Sequence, residues 1–392
     1  MIKSATRLFL GFMAAAAVSA AGIPDTALWA LYNNRDMFRL EDALEHLPID
    51  AEPGRIFLWA AAQAGRGHET DSASTVEGLL KRPIDSQLEI RARNLLMLDD
   101  RALFHYRAAF AALAPLLESG RADEPMRNRA RLLQAIENVL PETVDGTPHL
   151  VLSAPRVAVG IAGQFFGFAI DSGANLSVIT RDVSRRAHLR VIAVDYSIRT
   201  ADGKALHADV ASADLEIAGA LIRHAIVLVV PALAGAGSYG PPIGGLIGMP
   251  ELRQLGPLQL GLSPRPLTRV TSLALADGDP ILELGLGATR LLCRLDSGSN
   301  RTTVAASLWQ QVGRPSAPRA VSVTGLADRR TRLLHESPIT FDIAGRRVTI
   351  AEAIVLPPAS SGNQPACTLG ADALAAVGPV VLDFARLRLL TR

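Results

Sequence analysis

Two short segments of the chain carry the same run of residues that can do chemistry. The first runs from Phe168 to Asn175 and the second from Cys293 to Asn300. Each has an apolar run, then Asp-Ser-Gly, then a small residue and Asn. One Asp-Ser-Gly is weak evidence, because all three residues are common in turns. Two copies lying 125 positions apart suggest that a duplicated fold brings two carboxylates together.

Asp171 and Asp296 are therefore the candidate catalytic residues. Two carboxylates that are held close together cannot both ionise cheaply, so such a pair shares one proton near its working pH. The ionised carboxylate can take a proton from a bound water that attacks a carbonyl carbon, while the protonated partner donates to the developing oxyanion. This chemistry requires no metal and no cofactor, so we expect neither.

The residues that follow each Asp are suited to holding the two loops. Gly173 and Gly298 allow a tight turn and the close approach of two backbones. Ser172 and Ser297 carry hydroxyls that can hydrogen-bond across the interface between the two copies and keep both loops rigid. We expect these four residues to support the active-site loops.

An ordered series of matched landmarks places each Asp loop in a β-rich unit. Strand-like runs separated by short turns lead into both Asp residues. The matched pairs are Ala162-Gly163 with Gly287-Ala288, Leu246-Ile247-Gly248 with Thr368-Leu369-Gly370, and Gly256-Pro257 with Gly378-Pro379. Such an ordered series argues for duplication more strongly than any single match. We predict two lobes, over residues 148–265 and 266–392.

The segment before the lobes has a helical pattern of apolar residues. Breaks such as Pro53-Gly54, Arg66-Gly67 and Ser119-Gly120 divide residues 22–145 into about five or six predicted helices. The predicted hairpins resemble tetratricopeptide-type repeats without their full signature. Two interpretations stay open: a domain that only packs, or a surface for a protein partner.

The N-terminus has the pattern of an export signal. Lys3 and Arg7 precede an apolar run from Leu8 to Val18, and small residues follow. The run is short for a bilayer span, so we expect a cleaved signal peptide over residues 1–21, with an uncleaved anchor as the alternative. The protein would then be exported, to the periplasm or outside the cell, without a membrane span after cleavage.

Composition and the remaining motifs exclude several other classes of protein. Hydrophobic residues make up 49% of the chain and charged residues 20%, which is typical of a globular protein. The net charge is +2 and the basic residues are scattered, so we expect no nucleic-acid partner. The eight His residues form no His-Glu-x-x-His, and the chain has no Gly-x-Ser-x-Gly.

The chain resembles the aspartic proteases of the retropepsin and pepsin superfamily, in the bacterial gag-polyprotein-type group. The residues that carry the resemblance are 169–179 and Leu246-Ile247-Gly248 in the first copy, and 295–299, 368–374 and 381–384 in the second. It covers roughly residues 149–392 and leaves the helical segment unexplained. It implies an α+β multidomain protein, in which a helical domain precedes an all-β, two-lobed acid-protease fold.

The resemblance also implies roles for two hairpin tips and two cysteines. Candidate flaps over the substrate are Thr200, Ala201, Asp202 and Gly203 in the first lobe, and Thr324, Gly325 and Leu326 in the second. Ordinary surface hairpins are the alternative. If the strands that carry Cys293 and Cys367 are neighbours, a disulfide can join them. Two buried free thiols are the alternative.

From these observations we expect the protein to be an exported aspartic-type endopeptidase that acts as a monomer on an extended polypeptide. The alternative is a catalytically silent, protease-like protein that binds or scaffolds peptides. The presence of both Asp residues favours the enzyme, because a binding protein needs neither. A third hypothesis is that the lobes do not face each other within one chain and that the active site forms by dimerisation.

Overall fold

A helical segment is followed by two β-rich units. The computed structural model describes residues 23–45, 51–148, 150–199, 205–233, 243–263, 265–287, 289–312, 318–324, 329–356 and 366–392. The predicted signal peptide, residues 1–21, lies outside the described residues. Within them, no helix is long and apolar enough to cross a membrane.

Seven helices occupy the described part of the helical segment. They are α1 (Asp25–Asn33), α2 (Met37–Leu44), α3 (Pro53–Gly65), α4 (Glu69–Leu80), α5 (Ser86–Ala102), α6 (Tyr106–Glu118) and α7 (Glu124–Ile136). Asp36, Asp85 and Asp123 accept hydrogen bonds from backbone N–H groups in the first turns of α2, α5 and α7. The prediction of five or six helices was too low, because Arg35 separates α1 from α2 in a left-handed conformation at φ 62°. A non-glycine residue in this conformation carries little sequence signal.

The helices form a continuous stack that is attached to both lobes. Each helix packs against the next from α1 to α7, and Phe57, Leu58 and Leu113 are fully buried. The same apolar cluster continues into the first lobe through Val178 and Leu228. The helical segment and the β region therefore share a hydrophobic core.

The first lobe is built from eight strands of one sheet. They are β1 (Thr143–Asp145), β3 (Arg156–Ile161), β4 (Gln164–Ile170), β5 (Ser177–Thr180), β6 (Val191–Arg199), β7 (Ala205–Ile217), β8 (Ala220–Val230) and β9 (Gly245–Ile247). Their order is β1-β8-β5-β9-β4-β3-β7-β6, and β7 also pairs with β8, so the sheet curls towards a barrel. Two short helices accompany it, α8 (Arg181–Arg186) and α9 (Met249–Gln254). The lobe's sheet begins at Thr143, inside the range 22–145 that the helical pattern predicted.

The second lobe repeats this arrangement. Its strands are β11 (Arg269–Ala276), β12 (Asp279–Leu286), β13 (Thr289–Leu295), β14 (Thr303–Ala305), β15 (Arg319–Thr324), β16 (Arg329–Ile343), β17 (Arg346–Leu356), β18 (Cys367–Leu369), β19 (Val380–Asp383) and β20 (Arg388–Thr391). Its helices are α10 (Ala306–Val312) and α11 (Ala371–Val377). The pair β13–β18 is parallel, as is the pair β4–β9 in the first lobe. Each Asp loop follows the first strand of such a pair.

A shared sheet joins the two lobes. Strand β10 (Leu258–Leu260) pairs antiparallel with β19, and β2 (Leu150–Leu152) pairs parallel with β10. Buried residues of both lobes, including Ile170, Leu258, Leu295 and Leu382, belong to one apolar cluster. This core and the shared sheet hold the two Asp loops at one interface.

Candidate active site

Each Asp loop is fixed from behind by a buried parallel strand. The Asp171 N–H donates to the carbonyl oxygen of Ile247 at 2.9 Å, and the Asp296 N–H donates to that of Leu369 at 2.9 Å. Phe168 to Ile170 are fully buried, so the apolar run anchors β4 in the core and the polar turn begins at Asp171. The matched segments that end at Ile247-Gly248 and Leu369-Gly370 therefore provide the strands behind the two loops.

Reciprocal hydrogen bonds between the two serines join the loops. The Ser172 N–H donates to Ser297 Oγ, and the Ser297 N–H donates to Ser172 Oγ, both at 3.0 Å. Each hydroxyl then donates across the interface, from Ser172 to the Leu295 carbonyl and from Ser297 to that of Ile170, again at 3.0 Å. Both serines are fully buried. The two loops thus meet within one chain, and all the polar groups of the contact are satisfied.

The two glycines leave room for the carboxylates. A Cβ at Gly173 would lie 2.6 Å from Asp296 Cγ, and one at Gly298 would lie 2.6 Å from Asp171 Oδ2. A real Cβ does not approach other atoms so closely, so any larger residue would displace the facing carboxylate. The glycine N–H groups also orient the carboxylates, with Gly173 donating to Asp171 Oδ1 at 2.9 Å and Gly298 to Asp296 Oδ1 at 3.1 Å.

The carboxyls of Asp171 and Asp296 form an electrostatically coupled pair. Each carboxyl faces the glycine of the opposite loop. Burial and the negative charge of Asp296 together raise the pKa of Asp171 to about 7, against the opposing effects of the Gly173 N–H and Arg294. The pair therefore holds a proton up to near-neutral pH, as two close carboxylates must.

Arg294 contacts this pair, and the sequence did not single it out. Its Nη2 donates to the Gly173 carbonyl oxygen at 2.7 Å and lies 3.8 Å from Asp296 Oδ2. Its Nε lies 3.4 Å from Asp279 Oδ1. The sequence could have indicated Arg294. Side chains two positions apart in a strand point to the same face, so an Arg two residues before Asp296 lies on the side of that Asp. The matching position in the first lobe is Ala169, so the cation is present on one side only.

A second pair of polar anchors holds the ends of the strands behind the loops. In the first lobe, Ser177 Oγ donates to Glu251 Oε2 at 2.6 Å and accepts from the Gly248 N–H at 2.9 Å. In the second lobe, Thr302 Oγ1 donates to Asp372 Oδ1 at 2.7 Å and accepts from the Gly370 N–H at 3.2 Å. These anchors were not identified from the sequence, because the two carboxylates occupy different positions relative to their glycines.

The structure also places the two cysteines and part of the candidate flaps. Cys293 and Cys367 lie opposite each other on β13 and β18, and a disulfide joins them with a Cα–Cα distance of 4.8 Å. Thr324 is the last residue of β15. The other candidate flap residues, Thr200, Ala201, Asp202, Gly203, Gly325 and Leu326, lie outside the described residues.

The family comparison matches the first lobe. A family model described as aspartyl protease matches residues 157–250, a stretch that contains Asp171 and ends in α9. The chain contains an aspartyl-protease-like domain. The domain implies a peptide substrate and suggests peptide hydrolysis. No curated protein matches the chain.

The helices and the aspartyl-protease-like region together form an α+β protein whose β part has two barrels. The matched stretch covers most of the first barrel, and the second barrel carries the other Asp-Ser-Gly loop. Within the described residues, no group of three or more His, Cys, Asp or Glu residues is placed to hold a metal ion.

Proposed function

We propose that the protein is an exported aspartic endopeptidase in which Asp171 and Asp296 together activate a water for attack on a peptide bond. One observation carries this proposal: the reciprocal serine hydrogen bonds place two Asp-Ser-Gly loops face to face within one chain. A pair of buried carboxyls that shares one proton provides both the base and the acid that hydrolysis requires.

The neighbours of the pair give each carboxyl a starting role. In the proposed reaction Asp171 holds the shared proton, since burial and the charge of Asp296 raise its pKa to about 7, and Asp296, whose Oδ2 lies 3.8 Å from Arg294, acts as the base. Water gives a proton to Asp296 while its oxygen bonds to the carbonyl carbon, and Asp171 gives its proton to the carbonyl oxygen.

Breakdown of the resulting gem-diol restores the starting state. Asp296 passes its proton to the amide nitrogen as the C–N bond breaks, and a hydroxyl of the gem-diol returns a proton to Asp171. The products are a carboxylic acid and an amine, and the pair again holds one proton. The mechanism uses only the side chains of this chain and one water.

The remaining features of the proposal concern the substrate and the compartment. The substrate is a polypeptide that lies extended between the lobes, beneath flaps at residues 200–203 and 324–326. The protein acts as a monomer, because one chain supplies both Asp loops. The disulfide between Cys293 and Cys367 supports export, because such bonds persist in oxidising compartments. Residues 1–21 are the proposed signal peptide.

Turnover of a peptide library separates this proposal from a silent peptide-binding protein. The purified protein is incubated with a library of unstructured peptides between pH 3 and pH 9, and the products are read by mass spectrometry. We expect internal cleavage, with activity lost as the pH rises above about 7 and Asp171 loses its proton. Saturable binding without cleavage at any pH would contradict the proposal.

A further inference from the structure

A cavity lies between the helical segment and the two lobes. Its volume is about 420 Å³, which is within the range of roughly 300–1,000 Å³ that is typical of ligand sites. Helices α3 and α5 contribute residues to one wall, and both lobes contribute to the other. The aspartyl-protease-like region alone would not enclose this cavity.

The cavity begins at the edge of the candidate active site. Asn175 and Leu176, which follow the first Asp loop, line it together with Gly278 in the turn between β11 and β12. Asn175 Oδ1 lies 2.8 Å from the place that a Cβ on Gly278 would occupy, so the two lobes meet at this point. The cavity therefore lies next to the segment that follows the first Asp loop.

Charged groups on the same edge link the Asp pair to the helical segment. Arg294, which contacts the Asp pair, lies 3.4 Å from Asp279, and Asp279 lies 3.8 Å from Arg35 in the turn between α1 and α2. Arg35 also bonds to Asp277, a lining residue, at 3.2 Å. These contacts fix the helical segment against the part of the second lobe that carries Asp296.

Most charged groups that line the cavity are already satisfied. Arg253 forms two hydrogen bonds with Glu69, at 2.6 and 3.1 Å. Glu142 accepts hydrogen bonds from Tyr106 at 2.9 Å and from Gln254 at 3.0 Å. Asp99 accepts from Ser72, and burial raises its pKa to about 8, so it is mostly neutral at pH 7.

The two other lining arginines, Arg91 and Arg101, differ from each other. Arg91 is exposed and lies over the ring of Trp29, 4.9 Å from its centroid. Arg101 has no ion pair or hydrogen bond with any of the described residues, and its Nη2 lies 3.9 Å from the Cβ position of Gly278. Arg101 is half-buried by its exposed surface, and burial lowers the pKa of its guanidinium. A guanidinium in such a site favours a planar anion, which it can bind through two parallel hydrogen bonds.

We propose that this cavity is the end of the substrate cleft and that Arg101 binds a carboxylate of the polypeptide there. The carboxylate belongs to an acidic side chain or to the C-terminus of the substrate, and the amide of Asn175 lies beside it. This inference rests on the proposed endopeptidase function. It makes the helical segment a specificity-determining wall of the cleft.

Paired peptides test the proposal through a ratio of rates. Octapeptides from the cleaved library are synthesised with Glu or Gln at each position in turn, and with a C-terminal carboxylate or amide. At one position, we expect the carboxylate form to have a kcat/KM roughly 10- to 100-fold higher than its amide counterpart, as for a charge-assisted hydrogen bond. The position at which this preference occurs shows whether Arg101 binds an acidic side chain or the C-terminal carboxylate of the substrate.

Substitutions in the helical segment test whether this ratio of kcat/KM values depends on Arg101. In Arg101→Gln the ratio falls to about 1, and in Arg101→Lys it lies between those of the wild type and Arg101→Gln. The matched control is Arg131→Gln, which removes an exposed arginine of α7 that pairs with Glu124 and should keep the wild-type ratio. Thermal unfolding of each variant checks that it is folded.

Binding of the same peptides gives a readout that does not depend on turnover. Dye-labelled pairs are titrated against Asp171→Asn, with and without Arg101→Gln, and fluorescence anisotropy gives the ratio of dissociation constants. Cleavage without a carboxylate preference, or a preference that persists in Arg101→Gln, would overturn this inference and leave the endopeptidase proposal standing. Absence of cleavage with an Arg101-dependent binding preference would overturn the endopeptidase proposal and keep the cavity assignment.

Discussion

At the scale of single residues, the two Asp loops are almost symmetric and the residues beside them are not. Both loops have the same serine hydrogen bonds and the same close glycine contacts. Arg294 has no counterpart in the first lobe, where Ala169 occupies the matching position. Arg294 lies 3.8 Å from Asp296 Oδ2 and its charge lowers the pKa of Asp171, so a single cation from one lobe acts on the pair.

Replacement of Arg294 by Gln should move the pH dependence of cleavage to higher pH. The charge of Arg294 lowers the pKa of the pair, so its removal raises that pKa, by about one unit for a charge at this distance. Both limbs of the plot of kcat/KM against pH should move together, and Arg294→Lys should move them less. A profile identical to that of the wild type would show that Arg294 does not act on the pair.

At the scale of elements, the serine contact is the junction between the two barrels. Ser172→Ala leaves a buried N–H of Ser297 and a buried carbonyl of Leu295 without partners, which should lower the free energy of unfolding by about 1–3 kcal/mol. Ser297→Ala should have a similar effect, because its hydrogen bonds are equivalent. Ser172→Thr keeps the hydroxyl and should be milder.

Urea unfolding measures these changes. The control is Ser263→Ala, since this half-buried serine donates only to the nearby Arg265 carbonyl in a solvent-exposed hydrogen bond, and its loss should change the free energy of unfolding by less than about 0.5 kcal/mol. If Ser172→Ala matches that control, the reciprocal contact does not hold the two barrels together.

The sequence predicted the elements that repeat and missed those that do not. The loops at Asp171 and Asp296 stand out in the sequence because they are copies, and the segments at Ile247 and Leu369 could be matched because each precedes a glycine with a counterpart in the other lobe. The turn at Arg35 was missed although Asn33-Asn34 precede it and Asp36 follows it, because the left-handed residue itself is an arginine. Arg101 gave no signal either, since a helical arginine is usually solvated and only the tertiary packing encloses it.

At the scale of the whole molecule, several buried carboxyls make stability depend on pH. Burial raises the pKa of Asp99 to about 8 and that of Asp171 to about 7, and it also raises the pKa values of Glu142 and Glu251. The folded protein therefore binds protons that the unfolded chain has released. The free energy of unfolding should fall as the pH rises from about 4 to about 8.

Asp99→Asn isolates one of these groups. The amide oxygen can still accept the Ser72 hydrogen bond, and the amide has no charge to bury. The variant and the wild type should have similar free energies of unfolding at pH 5, and the variant should be the more stable at pH 9. Denaturant unfolding at the two pH values checks this, and an equal difference at both would contradict the assignment of a raised pKa.

The central claim is that both carboxylates, one from each barrel, act on the same peptide bond. The most direct measurement is the kcat/KM of Asp171→Asn and Asp296→Asn on one cleaved peptide, with Asp145→Asn, an exposed residue paired with Arg223, as the control. We predict that each active-site variant stays folded and loses roughly 10²- to 10⁴-fold or more of its activity, while the control keeps the wild-type value. A folded single variant at Asp171 or Asp296 that keeps activity within tenfold of the wild type would contradict the two-carboxylate account.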